Sequence, residues 1–245
     1  MRTRNAAVMG AMCAGLAAAL TGCGEDPDAG TNGVGKLAAP AIAAKARAAA
    51  EGASAVHLTG KLVSRGHTYK LDMRLKKNGG TGEVASETST FQLLRIGADL
   101  YLKADAAFWS HDTPKGQKGG KDGGSAADKL DAKYVKVPAG DPSYKELSGF
   151  TDKAVLLDGV LGLHGKLSRG DHGTVGGTRT IRVSGGGGNG GSLDVSLQGT
   201  PYPLRLQRAG GAGEVQLAEW DKDFALAAPA KDQMVDYGQK IPHGS

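Results

Sequence analysis

The chain has 245 residues, a net charge of +5, 40 glycines, two cysteines and only 5% aromatic residues. A small charge spread over this length lacks the concentrated basic face of a nucleic-acid binder, so nucleic acid is excluded as a partner. The length is compatible with a single domain that buries a sizeable core.

The first 22 residues have the pattern of a bacterial export signal. Arg2 and Arg4 precede an apolar run over 6–20, which is shorter than the roughly 20 residues that a membrane-spanning helix needs. The run ends in Leu20-Thr21-Gly22-Cys23, which resembles the lipobox of bacterial lipoproteins. The resemblance implies cleavage between Gly22 and Cys23 and a diacylglyceryl anchor on Cys23, at the extracytoplasmic face of the bacterial cell membrane. The alternative is an ordinary secretory signal in which Cys23 is incidental.

Residues 23–36 are small, polar, Gly or Pro and lack apolar periodicity, which predicts a flexible tether. We expect one folded domain over 37–245. An Ala-rich stretch over 41–51, with Pro40 near its first turn and Gly52 at its end, predicts a helix.

Period-two alternation then predicts a first antiparallel meander. In 68–76, which follows a strand over 56–64, the apolar residues Tyr69, Leu71, Met73 and Leu75 share one face. Asn78-Gly79-Gly80 predicts a hairpin. Further strands are expected over 81–86, 90–96 and 99–103.

The middle of the chain is polar and then helical. Residues 110–129 are rich in Gly, Lys and Asp and predict an excursion into solvent, whose Lys115, Lys118 and Lys121 either touch anionic head groups or are simply solvated. A strand is expected over 133–137. Asp141-Pro142 and Thr151-Asp152 predict the starts of helices over 143–147 and 152–163.

A second meander is expected over 178–184, 192–198, 204–208 and 214–219, with a final extended piece at 224–226. Because each strand has one apolar face, the sequence predicts an α+β fold, a curved antiparallel β half-barrel of two meanders with a few helices packed on its concave face.

The chain shows no pattern typical of an active site. Six histidines are scattered without metal spacing, and no Gly-x-Ser-x-Gly elbow is present. Gly185, Gly187 and Gly190 match a dinucleotide-binding pattern but precede a predicted strand, which favours a hairpin loop. We therefore expect no catalytic residue, metal or cofactor. Trp109 and Trp220, with Phe108 and Phe224, either rim a ligand mouth or belong to the core.

Several segments resemble lipoproteins of the LolA/LppX/LprG type. They are 89–103, 133–137 with Phe150-Thr151-Asp152, and 202–206, while Gly-rich stretches at 110–129 and 185–191 depart from that pattern. The resemblance implies a half-barrel closed by helices around an apolar cavity, and carriage of lipids or glycolipids between membrane and envelope. The residues then expected to line the cavity are Tyr69, Leu71, Met73, Leu75, Leu94, Ile96, Leu193, Val195 and Leu197.

The expected function is a non-catalytic lipoprotein that is anchored through Cys23 and binds or transfers lipid or glycolipid in the cell envelope. The alternative is an envelope scaffold or accessory lipoprotein that binds a protein partner and no lipid. A dry internal cavity larger than about 300 Å³ would favour the first.

Overall fold

A computed structural model describes residues 26–64, 66–111 and 129–235. Within these ranges, twelve strands form one open, curved sheet in the order β12-β6-β5-β4-β3-β2-β1-β11-β10-β9-β8-β7. All neighbours pair antiparallel except β12 and β6, which are parallel. The strands are β1 (Ala55–Ser64), β2 (His67–Lys76), β3 (Gly79–Ala85), β4 (Thr90–Ile96), β5 (Asp99–Ala104), β6 (Tyr134–Val137), β7 (Leu167–Val175), β8 (Thr178–Gly185), β9 (Ser192–Ser196), β10 (Pro203–Gln207), β11 (Gly213–Ala218) and β12 (Met234–Val235).

The helices are α1 (Ala39–Gly52), α2 (Ala106–His111), α3 (Pro142–Thr151) and α4 (Lys153–Leu161). The predicted fold class, an α+β half-barrel, is confirmed. The predicted signal peptide, Cys23 and the Lys115, Lys118 and Lys121 cluster lie outside the described residues.

One face of the sheet carries the core, and the register shows why. Directly opposed residues of antiparallel strands point to the same face. One row across the sheet runs through Leu193, Leu206, Val215, Gly60 and Leu71. Helix α1 covers this face of the sheet. Its fully buried residues, Ile42, Ala46 and Ala50, recur every four positions and therefore form one apolar side of the helix.

Glycines on the inner face of β3 let the helices approach the sheet. A Cβ on Gly80 would lie 2.6 Å from Cδ2 of Leu75 and 3.0 Å from the carbonyl oxygen of Thr151, the last residue of α3. A Cβ on Gly82 would lie 2.1 Å from the carbonyl oxygen of Asp72 in β2 and 2.7 Å from the sulfur of Met73. A side chain at position 80 would therefore push α3 away from the sheet, and one at position 82 would collide with the backbone of β2.

Asp152 joins α3 to α4. It ends α3, and its carboxylate caps α4 by accepting hydrogen bonds from the amides of Ala154 at 3.0 Å and Val155 at 3.1 Å. Arg95 of β4 binds this junction from the side of the sheet. Its guanidinium donates a hydrogen bond to the carbonyl of Thr151 at 2.9 Å and lies 3.4 Å from the Asp152 carboxylate. The predicted helix start at Thr151-Asp152 corresponds to this cap.

Three features differ from the sequence expectation. Strand β7 was not predicted, because seven of its nine residues are exposed and it has no apolar alternation. Residues 224–226, expected to complete the second meander, form no strand. Residues 26–36, expected to belong to a flexible tether, instead pack on the sheet, with Val34 only 3% exposed.

Candidate functional site

Seven of the nine predicted cavity residues lie on the concave side of the sheet. Leu71, Met73, Leu75, Leu193, Val195 and Leu197 are at most 4% exposed and belong to one contiguous core cluster, while Tyr69 is half-buried against it. The structure thus brings these residues together, but the protein's own side chains cover them.

The other two predicted cavity residues, Leu94 and Ile96, were assigned to the wrong face. Leu94 lies opposite Thr81 and Tyr101, a row that continues into the polar outer face at Arg74 and Lys136. The residues of β4 that point inward are Phe91, Leu93 and Arg95, as their partners in β3 and β5 show. Leu93 and Leu94 are adjacent apolar residues, so alternation alone does not choose between the two faces.

A cleft of about 880 Å³ lies at the edge of the helical layer. It lies between the carboxyl end of α1, the helix α4 and the turn from β2 to β3. None of the nine predicted cavity residues lines it. Its lining residues are Arg47, Ala50, Glu51, Gly52, Ala53, Ser54, Lys76, Lys77, Asn78, Asp152, Lys153, Ala154, Leu157, Asp158, Leu161 and Asp223.

The floor of the cleft is apolar. Ala50 and Ala53 come from the end of α1, while Leu157 and Leu161 stand one turn apart on α4. All four are at most 6% exposed. The floor is therefore part of the core surface that α1 and α4 share.

Lys153 lies at the back of the cleft and ties the two helices together. Its amine donates to the carbonyls of Ala50 at 3.0 Å and Glu51 at 2.9 Å, which are among the unpaired carbonyls at the end of α1. Burial lowers the pKa of the Lys153 amine below its ordinary value, although Asp221, Glu51 and Asp152 oppose the shift.

The rim of the cleft is charged and of mixed sign. Arg47 of α1 and Asp158 of α4 form an exposed ion pair at 2.6 Å across the opening. On the opposite side, Lys76 pairs with Asp223 at 2.9 Å. The cleft therefore has a charged, exposed rim above apolar residues that are almost fully covered.

The aromatic residues do not rim this cleft. Trp109 is 7% exposed in the core and makes an edge contact with Phe108, their ring centres 5.1 Å apart. Trp220 stacks on Tyr202 with ring centres 4.7 Å apart. Phe224 lies beneath the amine of Lys76, which is 5.0 Å from its ring centre. The four aromatics thus occupy separate structural positions.

In the described ranges, no group of three or more His, Cys, Asp or Glu side chains is placed to hold a metal ion. No helix in the same ranges has the length and apolar character needed to cross a membrane.

No protein-family model matches the sequence, and no curated protein sequence matches it. Solved structures do match the fold. LprF from Mycobacterium bovis superposes with a TM-score of 0.52 at 15% identity, covering 78% of this chain and 97% of LprF. The lipoprotein LppX of Mycobacterium tuberculosis gives a TM-score of 0.43 at 13% identity, covering 77% of this chain and 99% of LppX. The chain shares the fold of LprF.

The cleft was missed at the sequence level because its walls come from distant segments. The helices containing Ala50 and Leu157 were both predicted, but nothing in their spacing shows that they pack side by side. The one local signal was the pair Leu157 and Leu161, which marks an apolar stripe on α4. Which helices pack against each other depends on tertiary structure, which a single sequence does not reveal.

Proposed function

We propose that this protein is a non-catalytic, lipid-binding lipoprotein, anchored by an acyl group on Cys23 to the extracytoplasmic face of the cell membrane. Its ligand is a lipid or glycolipid whose alkyl part enters the cleft between α1 and α4. The observation that carries the proposal is the apolar floor beneath a charged rim. The LprF fold and the lipobox-like sequence ending at Cys23 support it.

The energetics favour an alkyl ligand. Each buried methylene contributes about 0.8 kcal/mol, from which the cost of ordering the chain must be subtracted. The floor residues Leu157 and Leu161 are already buried, so a long alkyl chain gains most if α4 moves away from α1 and exposes the core face. Uptake of a long chain is then coupled to separation of these two helices.

A second candidate function rests on the packing of the concave face. Met73, Val195 and Leu197 are fully buried by the protein itself. A filled half-barrel of this kind is what an envelope scaffold or accessory lipoprotein without a lipid ligand would have.

Lipid titration with a matched pair of variants distinguishes the two functions. Ala154→Trp places a large ring at the exposed rim of the cleft, whereas Val155→Trp places it on the neighbouring residue, which is 59% exposed and does not line the cleft. In a chain lacking residues 1–23, we expect a fluorescent fatty acid to bind the parent and Val155→Trp equally. Ala154→Trp should bind about tenfold more weakly, a loss of about 1.4 kcal/mol. An absence of saturable binding to the parent would favour the scaffold.

The anchor is tested separately. Cys23→Ala should abolish the acyl mass and move the protein from the membrane fraction to the soluble fraction, because loss of the thiol removes the acylation site. A Cys13→Ala variant is the control and should remain in the membrane fraction, since that residue precedes the predicted cleavage site. Full membrane retention of Cys23→Ala would contradict the anchor.

A further inference from the structure

The segment that precedes α1 is docked on the folded domain. This N-terminal segment, residues 26–36, lies across the end of the sheet formed by β7, β8 and β9. The Asn32 amide nitrogen donates to the Leu197 carbonyl at 2.8 Å, and its side chain donates to the carbonyls of Ser196 and Gly199, both at 3.0 Å. These bonds fix the middle of the segment to the end of β9.

Basic side chains of β7 and the start of β8 hold the rest of the segment. Arg179 donates to the carbonyl of Ala29 at 3.1 Å and also to that of Pro27. Arg169 donates to the carbonyl of Gly35 at 2.8 Å, and His172 lies 3.0 Å from the carboxylate of Asp28.

The segment also packs tightly. A Cβ on Gly35 would lie only 2.1 Å from a carboxylate oxygen of Asp28 and 3.1 Å from Cδ2 of Leu197. The chain therefore folds back closely upon itself here. Together with the hydrogen bonds, this contact gives the segment a defined position from residue 26 onward.

The length of chain between this segment and the proposed anchor is short. Only two residues separate Cys23 from Asp26. Three successive Cα–Cα steps of 3.8 Å span at most about 11 Å. Since Asp26 is part of the docked segment, an acyl anchor on Cys23 keeps the β7 end of the domain within roughly that distance of the bilayer surface.

We infer that the β7 end of the half-barrel is the membrane-facing surface of this protein and that its partner there is the lipid head-group layer. The inference rests on the proposed anchor at Cys23. Strand β7 fits the polar head-group layer because its exposed side chains include Ser168, Asp171 and Thr174 and no large apolar residue.

The same geometry separates the cleft from the anchor. The N-terminal segment leads into the start of α1, whereas the cleft lies at the other end of that helix. A helix of 14 residues is about 21 Å long. The cleft therefore lies a helix length from the docked segment, away from the β7 edge of the sheet.

Energy transfer on vesicles tests this orientation. Mature acylated protein, which begins at Cys23 and so lacks Cys13, would carry one added cysteine, either Thr174→Cys on β7 or Glu51→Cys at the cleft, each labelled with the same fluorophore. Vesicles of phosphatidylcholine and phosphatidylglycerol would contain an acceptor on a head group. We expect transfer to be clearly stronger from position 174 than from position 51.

A spacer provides the matched control. Insertion of about 20 Gly and Ser residues between Glu25 and Asp26 leaves both the acyl group and the docked segment intact but gives the domain a long flexible link. The difference in transfer between the two positions should then disappear.

The outcomes separate the orientation from the anchor. Equal transfer from positions 174 and 51, or stronger transfer from 51, on protein shown by mass spectrometry to be acylated overturns the orientation alone. Protein that lacks the acyl group and does not bind vesicles overturns the anchor at Cys23, and the orientation with it.

Discussion

Asp194 is the most buried carboxylate in an ion-pair cluster on the outer face of the sheet. Its side chain is 4% exposed and lies between Arg182 at 2.9 Å and Arg205 at 2.7 Å, its opposed neighbours in β8 and β10. The carboxylate raises the pKa of Arg182 through this hydrogen bond. One carboxylate on β9 thus binds an arginine on each of the two flanking strands.

We predict that Asp194→Ala destabilises the fold by about 2 kcal/mol. Breaking a fully buried ion pair costs roughly 3–5 kcal/mol, and the partial exposure of both arginines reduces that figure. The melting temperature should fall by about 4–8 °C. Asp158→Asn is the matched control, because its carboxylate is 75% exposed and its ion pair with Arg47 should contribute no more than about 1 kcal/mol. Equal shifts for the two variants would contradict the assignment.

Asp221 links Ser54, the residue before β1, to Tyr202 in the loop before β10. Its carboxylate accepts a hydrogen bond from the Tyr202 hydroxyl and others from the Ser54 amide at 2.7 Å and the Ser54 hydroxyl at 3.0 Å. The Tyr202 hydrogen bond is the main cause that lowers the pKa of Asp221, followed by that of the Ser54 amide.

This shift predicts a pH dependence of stability. Because the folded pKa of Asp221 lies below the unfolded value, its stabilisation is present above the unfolded pKa of about 3.9 and is lost as pH falls through the folded pKa. The free energy of unfolding of Asp221→Asn should therefore be lower than that of the parent at pH 7, and the gap should narrow on acidification below about pH 4. Asn tolerates the backbone φ of 60° at this position.

Urea titrations of both proteins between neutral and strongly acidic pH measure the gap. Tyr202→Phe supplies the internal check, since it removes the main cause of the shift and should raise the Asp221 pKa as measured by NMR. A gap that stays constant across the pH range would show that Asp221 does not contribute through its charge.

At the scale of single elements, glycine has opposite roles in β3 and α4. Gly80→Ala should destabilise the fold by about 1–3 kcal/mol, because the added methyl group meets Leu75 and the last carbonyl of α3. Gly159→Ala should stabilise it by about 0.5–1 kcal/mol, since this residue is exposed within α4 and nothing lies within 4 Å of its Cβ position. Thermal unfolding of the two variants, which carry the same chemical change, should show shifts of opposite sign.

The elements that the sequence predicted well are those with one-sided apolar patterns. In β2, Leu71, Met73 and Leu75 alternate strictly with charged residues, so both the strand and its inner face were predictable. In β4, the inward position is held by Arg95, whose role is to bind the α3–α4 junction. When a charged residue such as Arg95 points inward, the apolar residues next to it are easily assigned to the inner face instead. Leu94 and Ile96 were assigned to the wrong face for that reason.

Segments held in place by polar contacts were not predicted from the sequence. The N-terminal segment was expected to be a tether because it has no apolar periodicity, yet Asn32, Arg169 and Arg179 fasten it through hydrogen bonds to backbone carbonyls. Strand β7 was missed for the same reason. Such contacts depend on tertiary position and leave no periodic signal.

At the scale of the whole molecule, the fold has one layer of sheet and one layer of helices, and the two differ in how firmly they are held. Each strand within the sheet is joined by a hydrogen-bonded ladder, whereas α4 is held to α1 by a few side chains. The boundary between α1 and α4, where the cleft lies, is therefore where we propose that the core opens to admit a ligand.

Cross-linking α1 to α4 tests whether ligand entry requires this opening. A chain lacking residues 1–23 contains no cysteine, so Arg47→Cys with Asp158→Cys can be joined specifically by a short bismaleimide. If the helices must separate, the joined protein should bind a long-chain fluorescent fatty acid about tenfold more weakly than the same variant before joining. The control joins Asp26→Cys to Lys36→Cys, which replaces an exposed ion pair at 2.9 Å far from the cleft and should leave binding unchanged. Undiminished binding by the protein joined at 47 and 158 would show that the ligand lies on the cleft surface and never reaches the concave core.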